Sequence, residues 1–391
     1  MSNKEQLFIK KSGFNYTYNN EYGLLWDVMN VFAIDARSED NNTCKSKCFK
    51  TALEVIFPAL LYFTQVYITC ISVLAHRAGE MNFAIATAFT CSSLFAIPLW
   101  HSVKTKESCI LELITQYQRM NAFQGKSIPN QNIAINVAIL LSIFISVSSA
   151  IVCAIWMSTD EKMKLCYNFF IAFEENYISI AIRLCMLLLI FTSQYIFPSL
   201  VAVMCGVLYH KYSCLLCIFH KELNDLRKNC LNRNIVRLKT KQHALLFQVA
   251  HKLEDVTSLI CFLFLCSRMV IMYFTLATVM LEGGSIALAT IWESMPVITA
   301  VPLSLVGVTL CASQISAQSQ KTYFALAILQ DELIDQNDTD SETFHYLKIM
   351  LNKSFPPVAP CSVVELTPKF NITVFGSLFT YGLLILNLGN K

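Results

Sequence analysis

Seven apolar blocks, each about as long as a bilayer's hydrocarbon core is thick, divide this chain, and charged residues avoid them. A helix that crosses a membrane needs about 20 mostly apolar residues. The blocks are Ala52–Ala75, Met81–His101, Ile133–Met157, Ile178–His210, Val256–Leu281, Ile286–Ala312 and Phe370–Leu388. The fourth is long enough to project beyond the bilayer. Composition agrees: 55% of the 391 residues are apolar and only 15% are charged, against about 25% charged in soluble proteins. Mean hydropathy is +0.49. The expected fold class is therefore all-α, a polytopic membrane protein with seven transmembrane helices. The lipid bilayer is its first partner. A net charge of +3 is too small to point to nucleic acid.

Lys and Arg in the connections give the orientation. The segment before the first block carries seven, the second–third connection four, the fourth–fifth nine and the sixth–seventh four, making 24 on one side. Arg77, Lys162, Lys164 and Lys391 are the four on the other. This bias puts the amino terminus in the cytoplasm and the carboxyl terminus outside. Residues 1–51 are polar and contain no signal-peptide h-region. None of the five sequons, at Asn15, Asn41, Asn337, Asn352 and Asn371, falls in an expected external loop, nor does any of the 16 cysteines except Cys166. A disulfide framework is not expected. The pairs Cys44/Cys48 and Cys214/Cys217 have metal-like spacing, but no second pair completes a site. No metal and no cofactor is expected.

The expected organisation is a cytoplasmic N-terminal segment (1–51), four spans (52–210), a cytoplasmic helical loop (211–255), two spans (256–312), a cytoplasmic helical anchor (313–369) and a last span with a short tail (370–391). Phe219, Leu223 and Leu226, then Leu238, Leu245, Leu246, Val249 and Leu253, recur at helical spacing. So do Tyr323, Leu326, Leu329 and Leu333. The fourth to sixth spans are thus expected to continue inward as amphipathic helices, followed by a short helix, Thr343–Asn352. Two arrangements are open: a packed cytoplasmic module, or helices lying on anionic lipid, which the basic run Arg227–Lys241 would suit.

Ionisable groups at membrane depth are candidate functional residues, because leaving them unpaired is costly. Arg183 lies near the outer end of the fourth block. Glu293 lies seven residues inside the sixth, a depth of about 10 Å at 1.5 Å per residue. Arg268 falls near the middle of the fifth. Arg183 and Glu293 either share a polar pocket or, for Arg183, the side chain snorkels to the interface. Trp156, Tyr177, Tyr273, Phe274, Trp292 and Met295 lie at similar depth, and Pro296 and Pro302 are expected to kink the sixth span. These residues suit a small organic ligand. Trp and Tyr also gather at membrane interfaces in proteins with no ligand.

In the last block Thr373, Ser377, Thr380, Leu384 and Asn387 recur at steps of four and three, on one helical face. The opposite face is expected to carry Ile372, Phe375, Phe379 and Ile385. A narrow polar stripe fits a helix lining water in an oligomeric pore. It also fits close packing of small residues against a neighbouring helix.

The C-terminal string Thr380-Tyr381-Gly-Leu-Leu-Ile-Leu-Asn387-Leu388 resembles the Thr-Tyr, five apolar residues, Gln-Phe signature that ends insect gustatory receptors. The stretch from Phe370 to Thr380 is similar to the segment leading into it. Asn387 stands for the usual Gln and Leu388 for the usual Phe, although Leu occurs there in related olfactory co-receptors. Asn keeps the amide but is one methylene shorter, which bears on pore width and ion preference. The resemblance implies a ligand-gated, non-selective cation channel of sensory-neuron plasma membranes, assembled as a homo- or hetero-tetramer. It implies a pore lined by the last helix, with Leu384 and Asn387 at the constriction, and a cytoplasmic anchor. A small-molecule tastant would bind an outer pocket among the second to sixth spans. The Thr-Tyr pair favours the gustatory branch over an odorant receptor. A G-protein-coupled receptor would need an external amino terminus, and the chain lacks Asp-Arg-Tyr after the third span and Asn-Pro-X-X-Tyr in the seventh. No internal repeat suggests a transporter, and no His, Cys or carboxylate constellation suggests an enzyme.

Overall fold

The computed structural model describes residues 23–34, 44–79, 83–124, 132–157, 167, 177–228, 233–281, 288–335 and 341–389. Cys44, Cys48 and Cys166 fall outside what is described at side-chain level, as do the sequons at Asn15, Asn41 and Asn337 and the side chain of Leu388. Among the described residues the regular structure is helical. In chain order the helices are α1 (Gly23–Val31), α2 (Cys44–Arg77), α3 (Phe83–Leu94), α4 (Ala96–Gln124), α5 (Asn132–Met157), α6 (Tyr177–Phe191), α7 (Phe197–Lys228), α8 (Arg233–Leu281), α9 (Leu288–Ile298), α10 (Ala300–Asp335), α11 (Ser341–Leu351) and α12 (Pro368–Gly389). Five stretches of described helix are long and apolar enough to cross a membrane. They correspond to the first, third, fourth, fifth and sixth expected spans. The second is divided between α3 and α4, and the last is α12, 22 residues long.

Proline sets the breaks. Its ring removes one N–H and crowds the carbonyl four residues back. α3 ends at Leu94, four residues before Pro98, and α9 ends at Ile298, four before Pro302. Pro198 stands four after Gln194, inside the π-helical turn Thr192–Ile196 that joins α6 to α7. There the Phe197 N–H reaches back to the Thr192 carbonyl instead. The expected kink of the sixth span is present, with Pro302 at the break and Pro296 accommodated inside α9.

The helices run further inward than the apolar blocks. α4 continues to Gln124, where the sequence suggested a loop, and α8 is unbroken over 49 residues. α11 packs against the distal parts of α8 and α10, and α7 packs against both of those helices. Their buried seam includes Phe219, Leu223, Leu226, Leu246, Val249, Leu253, Leu326, Leu329, Leu333, Leu347 and Met350. Leu238, Leu245 and Tyr323, expected on the same stripe, turn outward instead. Three residues of the basic run have acidic partners: Arg227 with Glu332 at 2.5 Å, Arg233 with Glu342, and Lys239 with Glu222 at 2.6 Å. Those pairs tie α7 to α10, α8 to α11 and α8 to α7. At least half of the basic residues in the run are thus paired within the chain.

His243 is buried in this module between the rings of Phe219 and Phe355. Burial, helped by nearby Lys353, pushes its pKa down to about 4. In an unfolded chain it would titrate near 6.5. The unfolded state therefore binds more protons between these values, and stability is lost as pH falls from about 6.5 towards 4. One pH unit in this window is worth about 1.4 kcal/mol. The purified protein is expected to melt progressively lower from pH 6.5 to 5.5. A His243→Leu variant should flatten that slope, as read by thermal denaturation.

α1 was not expected. Leu25, Trp26 and Met29 on it are buried, with Phe32 and Ile34 just beyond. Trp100 donates to the Phe32 carbonyl at 2.9 Å and Lys104 to the Ala33 carbonyl at 2.8 Å. Phe32 also meets the rings of Phe57 and Phe197. A nine-residue helix has little stability of its own, so this docking against α2, α4 and α7 holds it.

Large apolar side chains that the fold leaves exposed ring the upper helices, among them Val55, Phe63, Val66, Leu140, Phe144 and Ile182. On a soluble protein such a belt would be a liability. Against lipid it is the ordinary surface of a spanning helix.

Candidate functional site

α12 starts with Pro368 at its first turn, where a missing N–H costs nothing. It packs against α8 and α10 through Asn371, Val374, Leu378 and Gly382. These are spaced three and four residues apart, one face of a helix. At Gly382 the approach is close: a Cβ there would lie 3.5 Å from the Leu276 side chain. Ile385, expected to lie with Ile372, Phe375 and Phe379, instead falls half-buried towards this packed face, because 385 follows 382 by three. Ile372, Phe375 and Phe379 are exposed.

The stripe Thr373, Ser377, Thr380, Leu384 and Asn387 is exposed along its length. Leu384 is 55% exposed. Within one chain the stripe is open rather than packed, except where Ser377 meets Tyr273. The hydroxyls do not depend on water. Thr373 donates to the Lys369 carbonyl at 3.0 Å, Ser377 to Val374 at 2.8 Å and Thr380 to Gly376 at 2.9 Å. Such back-bonding lets an apolar environment accept hydroxyls.

Tyr273, expected in an outer pocket, belongs to α12 instead. Its hydroxyl lies 2.5 Å from the Ser377 Oγ, and its ring meets Tyr381 edge-on with centroids 5.3 Å apart. Tyr381 is thereby clasped to α8 of its own chain. Phe274 also leaves the expected pocket, stacking on Phe89 of α3 at 5.5 Å. Tyr177 is 93% exposed and Trp156 is exposed too, so both point outward, as interface aromatics do. These four expected pocket residues do not converge.

A polar cluster does form around Glu293 on α9. Tyr167 donates to its Oε1 at 2.7 Å, and Tyr67 of α2 donates to the Tyr167 carbonyl at 2.7 Å. Glu293 and Trp292 are half-buried. Cys153 of α5 and Tyr195 of the π-helical turn lie within Coulombic range of the Glu293 carboxylate. The cluster thus draws on α2, α5, α9, the connection after α5 and the turn between α6 and α7. Sequence reasoning missed Tyr67, Tyr167, Cys153 and Tyr195. Tyr167 lies in a connection, where periodicity carries no signal, and only the depth match of Tyr67 and Cys153 to Glu293 offered a hint.

Arg183 is 2% exposed, so it is held inside the bundle and does not snorkel. Arg268 is fully buried on α8 and is taken up below. Among the described residues no three His, Cys, Asp or Glu side chains are grouped to hold a metal.

By sequence, no family model and no curated protein matches this chain. By structure the chain is similar to the insect olfactory receptor OR5 from Machilis hrabei, with a TM-score of 0.60 at 12% identity, covering 95% of this chain and 100% of that one. The same receptor in complex with eugenol matches with a TM-score of 0.60 at 11% identity, covering 95% and 99%. The protein is an all-α polytopic membrane protein. Its fold is that of an insect olfactory receptor.

Proposed function

We propose that this chain is an insect chemoreceptor subunit, a ligand-gated non-selective cation channel whose copies assemble around an axis lined by α12. The observation that carries the reading is the exposed stripe from Thr373 to Asn387, which within one chain meets Tyr273 at Ser377 but is otherwise left open. In this reading the amino terminus is cytoplasmic and the carboxyl terminus external, as the 24 to 4 charge bias favours. The chain lies in the plasma membrane of sensory neurons. The packed distal helices form the anchor of a homo- or hetero-tetramer. Leu384 closes a dewetted constriction, and opening brings Asn387 amides to passing cations.

The ligand is a small organic molecule, bound near Glu293 and its tyrosines. It shifts the closed–open balance only through its differential affinity for the two states. The Thr380-Tyr381 pair supports a gustatory receptor for a tastant. An odorant subunit is the second reading, favoured by the likeness to an olfactory receptor solved with eugenol.

Expression in cells lacking other chemoreceptors, with a mixed panel of tastants and volatiles, tests this by patch clamp. A cation current evoked by a member of the panel is expected, and its class separates the two readings. A metabotropic response with no current in excised patches would contradict both.

A further inference from the structure

Arg268 sits in the apolar part of α8, 0% exposed, and its Nε, Nη1 and Nη2 atoms find no hydrogen-bond acceptor among the described residues. A guanidinium carries five N–H donors in a rigid fork, and burying it without acceptors is costly. What surrounds it satisfies only part of that demand. The Phe264 ring lies 5.5 Å from the Arg268 Cζ, a cation–π contact that leaves the donors unused. The other group in Coulombic range is Tyr195, on the π-helical turn, and π-helical turns recur at functional sites. The adjoining Gln194, also buried, has its amide nitrogen Nε2 without an acceptor. The neighbourhood thus has an excess of donors and positive charge. Glu293, which like Arg268 lies within Coulombic range of Tyr195, accepts from Tyr167. Phe191, in edge contact with Tyr195 at 5.1 Å, supplies apolar surface beside these polar groups.

We propose that Arg268, with Tyr195 and Gln194, forms a site inside the helix bundle for the carboxylate of a small apolar monocarboxylic acid. A carboxylate matches the guanidinium fork with two parallel hydrogen bonds. Lys would hold the same anion only as a point charge. The site shares Tyr195 with the cluster around Glu293, but melting reads binding whether or not the chain conducts.

The test uses the purified full-length protein in detergent, with sodium hexanoate and sodium phenylacetate as probes. Hexanamide, phenylacetamide and sodium chloride are the controls at matched ionic strength. Melting temperature is followed as each is titrated. Hexanoate or phenylacetate should raise it in a saturable way, as a ligand of the folded state does, and the amides and chloride should not. Arg268→Gln should weaken the fitted affinity by about tenfold or more, equivalent to about 1.4 kcal/mol, and Arg268→Lys by less. Without any probe, Arg268→Met should melt at or above the unsubstituted protein, because an unmatched buried charge has been removed. Equal shifts from the amides, an equal shift from chloride, a shift that survives Arg268→Gln, or none from either acid would overturn the proposal. So would an Arg268→Met protein that melts far below the original, since that marks Arg268 as structural. If Arg268→Gln does not fold, the comparison of acid with amide on the unsubstituted chain decides.

Discussion

Leu384→Ala is expected to raise basal cation current by more than tenfold while leaving expression unchanged. Leu384 is exposed on the free face of α12, so truncating it opens no cavity within the subunit. In the proposed channel the same side chain would meet its copies on the axis and exclude water. Burying a leucine is worth about 2 kcal/mol, and losing that much from the closed state corresponds to about a thirtyfold change in the open-to-closed ratio. Single-channel recording without ligand measures it directly. An unchanged leak would show that the constriction lies elsewhere.

Glu293→Gln is the second large effect. Glu293 accepts a charge-assisted hydrogen bond from Tyr167 at 2.7 Å, and Tyr67 in turn secures the Tyr167 backbone. Gln keeps the shape and removes the charge. Hydrogen bonds to charged groups are worth about 1.5–3 kcal/mol, so the half-maximal ligand concentration should rise by about tenfold or more. Surface labelling should be unaffected, because the group is half-buried and its removal leaves no unpaired charge. Overlaying dose–response curves would assign Glu293 to packing.

The sequence made depth legible and direction less so. Apolar length located the spanning helices, because bilayer thickness is a strict constraint on length, and α5 matches its block within one residue. The polar continuation of α4 was invisible, since it is held by burying Ile110, Leu113 and Tyr117 against α7 and α8, which are remote in sequence. α1 was hidden for the same reason. Tyr273 and Glu293 lie at comparable depth, yet one faces α12 and the other the cluster beside α5. Hydropathy does not encode which neighbour a helix face meets. On α12 the repeat of Thr373, Ser377, Thr380, Leu384 and Asn387 marks one face, but Ile372 and Phe379 on the other are exposed as well, so periodicity alone does not say which face meets a second copy and which meets lipid. Arg183 and Arg268 were recognisable as unusual by charge alone, but for Arg183 only burial distinguished holding it inside from snorkelling.

The central claim, that the free face of α12 lines an aqueous passage, is tested by single cysteine substitutions at Ser377, Thr380, Leu384 and Asn387 and at Ile372 and Phe379. A membrane-impermeant thiol reagent is applied during ligand-evoked current, with the unsubstituted chain as baseline. The account predicts block from the first four positions and none from Ile372 and Phe379. Block confined to Ile372 and Phe379, or absent from every stripe position, would contradict it.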